Sequence, residues 1–271
     1  MASDIKDKSE NTTKKYTEQT LKSWNEAAAI HHQRNPDLAE RVAEPGFNAL
    51  EGDFNRLVDA QELTGASVVQ VCCNNGKDLL SIKNKGAGYC LGIDGSSTFV
   101  EQANTLAQSG NFSDVAFETH NVYEIPQHHY GRFDFAVITI GVLNWMPDLR
   151  AFFDICSKLL KPGGRLLMEE LHPVLNMYAE GTPSHIAYSY FDRAPQVDNS
   201  GLDYFSGEKY ASEPNYNFQH TLGDILTAAI ASNLALETFE EIAEDVGNYC
   251  GDLAESPHNP PLALTASWRK A

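Results

Sequence analysis

A short turn between an apolar run and a helical segment carries the first chemical signal in the sequence. It reads Gln70-Val-Cys-Cys-Asn-Asn-Gly76, and its glycine tolerates backbone dihedrals that residues with a Cβ atom resist. Small residues at such a turn let the backbone approach a ligand closely. Asp94 ends the next apolar run, about 24 positions after Gln70, where a carboxylate can accept both hydroxyls of a ribose. Together these residues predict a nucleoside site.

The composition of this turn disfavours two common classes of nucleotide site. A dinucleotide site uses Gly-x-Gly-x-x-Gly to accommodate a pyrophosphate, and a P-loop ends in Gly-Lys-Ser/Thr. The turn contains neither pattern. What remains is an adenosine site without a demanding phosphate requirement, and S-adenosylmethionine satisfies that description.

Strands and helices alternate on both sides of the turn. Apolar runs typical of buried strands lie at 68–73, 89–94, 115–119, 133–140, 165–170, 234–239 and 262–268. Helical spacing fills the gaps between them: Val100, Ala103 and Ala107 share one face behind an N-cap at Ser96 or Ser97. The alternation predicts an α/β fold, a seven-stranded and mostly parallel Rossmann-like doubly wound sheet with an antiparallel last strand and helices on both faces.

The chain is expected to divide into three parts. Residues 1–20 are polar with almost nothing to bury, which predicts a disordered tail. Residues 21–60 regain apolar spacing broken at prolines, which predicts short helices, and residues 61–271 form the main domain. Within it, the aromatic-rich segment 173–219 lacks periodicity. It is interpreted as an insertion over the active-site rim or as a hairpin extension that makes a dimer contact.

Composition disfavours several classes of partner. The formal charge of −17 leaves no basic cluster for a phosphate backbone, so nucleic acids and anionic membranes are poor partners. No apolar run approaches the roughly 20 residues of a membrane span, and the N-terminus lacks a signal core. We therefore expect a cytoplasmic protein, monomeric or homodimeric. Its five cysteines have no Cys-x-x-Cys pair and are expected to be buried free thiols.

The order of segments resembles a class I methyltransferase over nearly the whole of residues 20–271. The turn is similar to the Asp-x-Gly-x-Gly-x-Gly loop of that superfamily, with Gln70 in place of the acid and Cys72 and Asn74 in place of the first two glycines. Asn74 and Asn75 are sensible substitutes, because asparagine tolerates left-handed conformations. The run from Phe133 through Leu143-Asn-Trp-Met-Pro to Leu160-Lys-Pro-Gly-Gly also resembles small-molecule methyltransferases.

The resemblance implies a site for S-adenosylmethionine, with S-adenosylhomocysteine as product. No metal is expected at this site, because no cluster of carboxylates follows the fourth strand. Asp94 would hold the ribose, the Asn121 carbonyl would accept from the adenine amine, and Gln70 would accept from the amino group of the cofactor. The implied cofactor contacts are Trp24, Gln70, Cys72, Cys73, Asn74, Asn75, Gly76, Asp94, Gly95, Ser96, Asn121, Val122, Tyr123, Ile140 and Gly141. The implied acceptor pocket comprises His31, Trp145, Tyr190, Tyr204 and Tyr216. Residues 21–60 would form a helical lid, or a helix merely packed on the sheet.

Methyl transfer needs a general base only if the acceptor has a proton to lose. The candidate histidines are His31, His32, His172 and His220. His172 follows the fifth strand at the rim where the acceptor should lie, and His172 and His220 are the first choices. Each of the four is also open to interpretation as a hydrogen-bonded structural residue, and more so His31 and His32 than His172 and His220.

Three functions remain open from the sequence. The first is a methyltransferase acting on a small molecule, and the second is a protein that binds S-adenosylmethionine without catalysis. The third is methylation of a basic protein partner, which the acidic surface could attract. A nicotinamide-dependent oxidoreductase shares the sheet but is disfavoured by the turn.

Overall fold

A seven-stranded sheet forms the centre of the computed structural model, which describes residues 2–179, 183–204, 207–247 and 249–271, with side chains from residue 11 onward. The strands, including four short ones outside this sheet, are β1 (Val68–Val71), β2 (Cys90–Asp94), β3 (Val115–Thr119), β4 (Phe133–Ile138), β5 (Leu160–Leu171), β6 (Tyr178–Ala179), β7 (His185–Ile186), β8 (Gln196–Asp198), β9 (Asn215–Asn217), β10 (Leu234–Ile242) and β11 (Ala263–Lys270).

Helices occupy most of the connections. The α-helices are α1 (Ala2–Arg34), α2 (Leu38–Val42), α3 (Gly52–Asp59), α4 (Lys77–Asn84), α5 (Ser97–Ser109), α6 (Leu149–Leu159), α7 (Leu222–Ala231) and α8 (Gly251–Ala254). Short 3-10 turns lie at Val122–Glu124, Gln127–His129, Leu143–Trp145 and Leu175–Met177. The predicted cap at Ser96 is confirmed, since its Oγ accepts the Phe99 N–H at 3.2 Å.

The strand order is β10-β11-β5-β4-β1-β2-β3, and the pairs β1–β2, β1–β4, β2–β3 and β4–β5 are parallel. Only β11 runs antiparallel, to both β5 and β10, within this sheet. The predicted fold class is therefore confirmed. Chain order reverses between β1 and β4, so the turns after these two strands meet at the edge where such sheets bind ligands.

Two helical layers cover the sheet. On one face, α6 packs against α7 and the sheet, and Phe152 and Phe153 are fully buried there with Trp268 of β11. On the other face, α2 to α5 bury Phe54, Leu79 and a second apolar cluster. Both faces of the parallel strands are thus apolar, which explains why β1 is continuously buried rather than alternating.

The prediction of a disordered tail at residues 1–20 is wrong, because α1 begins at Ala2 and continues to Arg34. Contacts from distant segments supply the burial that the local sequence lacks. Tyr16 packs its ring 4.7 Å from that of Tyr216, and Thr17 and Thr20 are buried. The 173–219 segment therefore stabilises the helix.

The 173–219 segment adopts irregular structure with two small antiparallel pairs, β6–β7 and β8–β9, and residues 180–182 and 205–206 lie outside the described part of the chain. The Lys161-Pro-Gly-Gly segment forms part of β5. Its residues bulge from the ladder, since Phe133 pairs with Leu160 and Phe135 with Arg165.

Two expectations from composition can be compared with the structure. All five cysteines are free thiols, four of them buried and Cys72 partly exposed. Among the described residues, no helix combines the length and apolar character needed to cross a membrane.

Replacement of Phe153 tests the importance of the α6 layer. Phe153→Ala should lower the free energy of unfolding by about 3–5 kcal/mol, because it leaves a cavity between α6 and the sheet. Urea denaturation measures the change. The control Phe191→Ala, at a ring that is 71% exposed, should change stability by less than about 0.5 kcal/mol. Equal losses in both variants would contradict the packing described.

Candidate active site

The turn after β1 has an unusual backbone conformation. Cys72, Asn74 and Gly76 have φ angles of +55°, +52° and +78°, so left-handed residues alternate along it. These are the three positions at which the resembled loop has glycine. The expectation for Asn74 is confirmed and that for Asn75 is wrong, since Cys72 takes the other left-handed position. Such a conformation costs a cysteine about 1–3 kcal/mol, and strain of this kind clusters at ligand sites.

Gly76 could not be replaced by a larger residue at the end of this turn. A Cβ atom there would lie 2.5 Å from the Phe117 ring and 3.0 Å from the Ala103 methyl group. The glycine is therefore required both by its positive φ and by the close approach of β3 and α5.

Asp94 closes the turn from the neighbouring strand. Its Oδ2 accepts the Asn74 N–H and its Oδ1 accepts the Ser96 N–H, each at 2.8 Å. Burial raises the pKa of Asp94, and these backbone donors oppose the shift. Each carboxylate oxygen has a further lone pair, so Asp94 can also accept from a ligand.

Gln70 lies fully buried beneath the turn. Its Nε2 donates to Thr139 Oγ1 at 3.1 Å, whereas its Oε1 has no hydrogen-bond partner. An unpaired buried acceptor costs roughly 1–3 kcal/mol, so a ligand donor that reached it would be bound favourably.

Two acidic side chains, Asp78 and Glu169, interact near Gln70. Asp78, in the first turn of α4, forms hydrogen bonds with both Gln70 and Thr139. Glu169 lies on β5, and burial together with the negative charge of Asp78 raises the pKa of Glu169 to about 7.

The segment expected to face the adenine is already anchored within the protein. The Asn121 Oδ1 accepts the Tyr123 N–H at 3.1 Å, and the Asn121 Nδ2 donates to Thr17 of α1 at 2.9 Å. The Tyr123 hydroxyl donates to the Asp148 carbonyl at 3.1 Å, and burial raises its pKa. Val122 belongs to the main core. Asn121 keeps one carbonyl lone pair for a ligand, while the Tyr123 hydroxyl is engaged by α6.

A buried carboxylate shapes the loop after β4. Glu170 of β5 accepts four backbone N–H groups at 2.6–2.8 Å, those of Gly141, Val142, Leu143 and Leu171. Burial raises the pKa of Glu170 to about 7, although these four donors favour the anion. The loop is thereby fixed beside the turn after β1, and the left-handed Gly141, at φ +84°, lies at its start. Ile140, the residue before it, packs against a small separate apolar cluster.

Helix α1 crosses the carboxyl edge of the sheet. The Ser96 hydroxyl donates to the Asn25 side-chain oxygen at 2.7 Å, and Gln102 of α5 donates to the Ala28 carbonyl at 2.8 Å. Leu21 packs so closely on Gly95 that a Cβ atom there would lie 2.4 Å from it. The helix is therefore seated directly on the loop that follows Asp94. Whether it acts as a lid stays a prediction.

Four of the residues expected around the site form one aromatic group, which we call the Trp24 cluster: Trp24, His31, Trp145 and Tyr204. The Trp24 ring lies 5.2 Å from that of Trp145 and 6.1 Å from that of His31, and His31 lies 4.3 Å from Tyr204. Three segments that are distant in sequence, α1, the turn after β4 and the 173–219 insertion, meet at this cluster.

The other two residues of the expected acceptor pocket have separate contacts. Tyr216 packs on Tyr16, and its N–H donates to Thr20 Oγ1 at 3.1 Å. The Tyr190 hydroxyl accepts the Leu222 N–H at 2.9 Å, at the start of α7. The structure therefore does not bring Tyr190 and Tyr216 into the Trp24 cluster.

Comparison with known proteins bears on these observations. A family model described as a methyltransferase domain matches residues 63–197, which hold the turn after β1, Asp94, the anchored Asn121 segment and the loop after β4. The fold and these segments agree with that match. The chain belongs to the class I methyltransferases.

Solved structures share the fold. An S-adenosylmethionine-dependent methyltransferase from Mesorhizobium loti superposes with a TM-score of 0.60 at 21% identity, covering 80% of this chain and 95% of that one. A geranyl diphosphate C-methyltransferase from Streptomyces coelicolor A3(2), solved with Mg²⁺, geranyl diphosphate and S-adenosyl-L-homocysteine, has a TM-score of 0.57 at 14% identity, covering 80% and 77%.

Sequence relatives include a ubiquinone biosynthesis O-methyltransferase from Psychrobacter cryohalolentis. It is 28% identical over 152 residues, covering 55% of this chain and 58% of the relative. The chain spans about half the length of such curated relatives. Their activities therefore enter only as proposals below.

The candidate bases of this methyltransferase lie in different surroundings. His220 Nε2 lies 2.8 Å from the Met146 carbonyl, beside the turn Leu143–Trp145. This contact makes Nε2 the donor and leaves Nδ1 as the basic nitrogen. Burial lowers the pKa of His220, so its ring is neutral at pH 7.

His172 and the histidines of α1 are placed less suitably. His172 Nδ1 accepts the Val174 N–H at 3.2 Å, and its Nε2 lies 3.1 Å from Glu241 of β10. His31 Nε2 donates to the Leu202 carbonyl at 2.7 Å within the Trp24 cluster, and His32 is exposed. His220 differs from these three in that its ring contacts the carbonyl of Met146, the residue after the 3-10 turn Leu143–Trp145.

Two residues that shape the candidate site, Glu170 and Asn25, have only weak sequence signals. Glu170 is one of two adjacent glutamates that follow the apolar residues Leu166-Leu-Met168 in a predicted strand. A glutamate next to such a run is unusual, because glutamate is seldom buried, and this is the signal that the sequence offers. Asn25 lies in a polar helix and reveals nothing before the contact of α1 with Ser96 is known.

Glu170→Gln tests the role of this carboxylate in fixing the loop after β4. The glutamine side chain has one acceptor oxygen and an NH₂ group in place of the second oxygen. Backbone N–H groups that now donate to that second oxygen would therefore lose their acceptor and lie against another donor. Stability should fall by about 2–4 kcal/mol in urea denaturation. The matched variant Glu240→Gln, at an exposed position of β10, should be neutral within about 0.5 kcal/mol. An unchanged Glu170→Gln protein would show that the loop holds its conformation without this carboxylate.

Proposed function

We propose that the chain transfers a methyl group from S-adenosylmethionine to an oxygen atom of a small-molecule acceptor. The observation that carries the proposal is the left-handed turn Cys72–Asn74–Gly76 closed by Asp94, with the unpaired Oε1 of Gln70 beneath it. A turn of this kind presents backbone to a nucleoside, and the carboxylate beside it accepts from ribose hydroxyls.

The residues present fit the cofactor. Asp94 would accept from the ribose hydroxyls through its remaining lone pairs, and Asn121 would accept from the adenine amine. Gln70 Oε1 is a buried acceptor that lacks a donor, and the positive amino group of the cofactor would supply one. The nearby carboxyl of Asp78 would favour that positive charge.

Binding of the cofactor supplies an electrophilic methyl group with a good leaving group, so the protein must chiefly align the reactants. The protein would hold the acceptor oxygen in line with the methyl–sulfur bond, and a base would take the proton that this oxygen loses. His220 is the candidate base, because it lies beside the turn after β4 and its Nε2 contact with Met146 leaves the lone pair of the neutral ring on Nδ1. The Trp24 cluster would bind a flat, largely apolar acceptor.

The relatives support the choice of an oxygen acceptor. Ubiquinone biosynthesis O-methyltransferases match 41–55% of the chain, and their name gives the atom methylated. The charge of −17 disfavours nucleic-acid substrates. A protein that binds the cofactor without catalysis is the alternative, and turnover distinguishes it.

Cofactor binding is tested by calorimetric titration with S-adenosylhomocysteine. Asp94→Asn should weaken binding by roughly 10-fold to 100-fold, because hydrogen bonds to a charged group contribute about 1.5–3 kcal/mol. Glu101→Gln, an exposed position on α5, should bind like the wild type. Wild-type protein that fails to bind would overturn the proposal, and an unaffected Asp94→Asn variant would remove Asp94 from the site.

The base is tested by release of S-adenosylhomocysteine with a panel of hydroxylated aromatic compounds. Since His220 must be deprotonated to act, kcat/KM should rise with pH to a plateau, with its midpoint below the ordinary histidine value of about 6.5. His220→Gln should lower kcat about 100-fold or more and abolish that rise.

His172→Gln is the comparison for this assay, since it removes the other first-choice base. It should retain kcat, and both variants should retain affinity for S-adenosylhomocysteine. A loss of kcat in His172→Gln alone would transfer the role to His172. Binding without turnover of any compound in the panel would favour the non-catalytic alternative.

A further inference from the structure

Three potential metal ligands meet at the outer end of β3. The Glu118 Oε2 lies 3.1 Å from His120 Nε2 and 2.9 Å from His129 Nε2. All three ligand atoms lie within 4.8 Å of one another. Glu118 lies near the end of β3 and His120 directly follows that strand, two positions further along the chain. His129 comes from the 3-10 turn Gln127–His129. We call this group the β3 cluster.

The chemistry of the β3 cluster suits a divalent transition metal. Two imidazole nitrogens and one carboxylate oxygen are the donor set of several zinc sites with three protein ligands, in which solvent completes the tetrahedron. The separations of 2.9 and 3.1 Å are slightly shorter than the roughly 3.4 Å between ligands at tetrahedral zinc with bond lengths near 2.1 Å. A small rotation of the side chains would therefore admit the ion.

The three side chains of the β3 cluster differ in solvent exposure, and the difference is compatible with metal binding. The His129 side chain is 4% exposed, whereas those of Glu118 and His120 are 35% and 30% exposed. One ligand is thus held by the protein interior, and the other two border solvent. An ion could reach the cluster and keep a water ligand.

The β3 cluster also lies beside the proposed cofactor site. The His120 N–H donates to the Asp94 carbonyl at 3.0 Å. Asn121 follows His120 directly, and the loop of residues 121–128 runs between the two histidines. An ion held by His120 and His129 would close this loop at its base, as a cross-link does.

We propose that Glu118, His120 and His129 bind a divalent transition-metal ion, of which Zn²⁺ is the type example. The ion would clip the loop of residues 121–128 to the end of β3. This inference stands independently of methyl transfer, since its evidence is the ligand geometry alone.

The proposal is tested by calorimetric titration of Zn²⁺ into full-length protein that carries no polyhistidine tag and has been treated with a chelator. We expect one equivalent to bind with micromolar affinity or better. His120→Gln and His129→Gln should each weaken binding at least about ten-fold. The control His258→Gln removes an exposed histidine elsewhere and should leave binding unchanged.

Thermal unfolding gives a second readout that does not depend on the calorimeter. Zn²⁺ at about 100 times its Kd should raise the Tm of the wild type by roughly 5–10 °C. The rise should be lost in His120→Gln, a partly exposed position chosen in case the buried His129 variant fails to fold. Absence of binding by the wild type, or binding that survives both substitutions, would overturn the proposal.

Discussion

The carboxylate of Asp94 is the group on which the geometry of the candidate site depends. It joins the turn after β1 to the turn after β2 by accepting one backbone N–H from each, at Asn74 and Ser96. The first turn carries left-handed residues at alternate positions, including a cysteine that would favour another conformation. The Asp94 carboxyl group at its base stabilises that conformation by accepting the Asn74 N–H.

Two further contacts extend this arrangement. The Ser96 N–H donates to Asp94. The Ser96 hydroxyl donates to Asn25 of α1 and also accepts the Phe99 N–H, which caps α5. Between β1 and β4 the order of the strands reverses. On the β4 side of this point, Glu170 fixes the loop after β4 by accepting four backbone hydrogen bonds. The site is thus bordered by two carboxylates that face backbone N–H groups. Groups that keep free lone pairs, such as Gln70 Oε1, are the ones that can accept hydrogen bonds from a ligand.

The sequence predicts the fold well because strands buried on both faces, such as β1, β2 and β4, leave nearly continuous apolar runs. Each of the seven predicted runs corresponds to a strand of the sheet. It also locates Asp94 and the turn before it. It fails for α1, whose stabilising partners Tyr216 and Glu124 are more than 100 residues away. It fails likewise for His129, which joins Glu118 only after the chain folds, and for Glu170, whose role lies in backbone donors that no side-chain pattern reveals.

A crystal structure with S-adenosylhomocysteine tests the account most directly, because it locates the nucleoside relative to Asp94. The account predicts ribose hydroxyls within hydrogen-bond distance of the Asp94 carboxylate, the adenine beside Asn121, and the amino group of the ligand within reach of Gln70 Oε1. A nucleoside bound elsewhere, with the turn at Cys72–Gly76 left uncontacted, would contradict it.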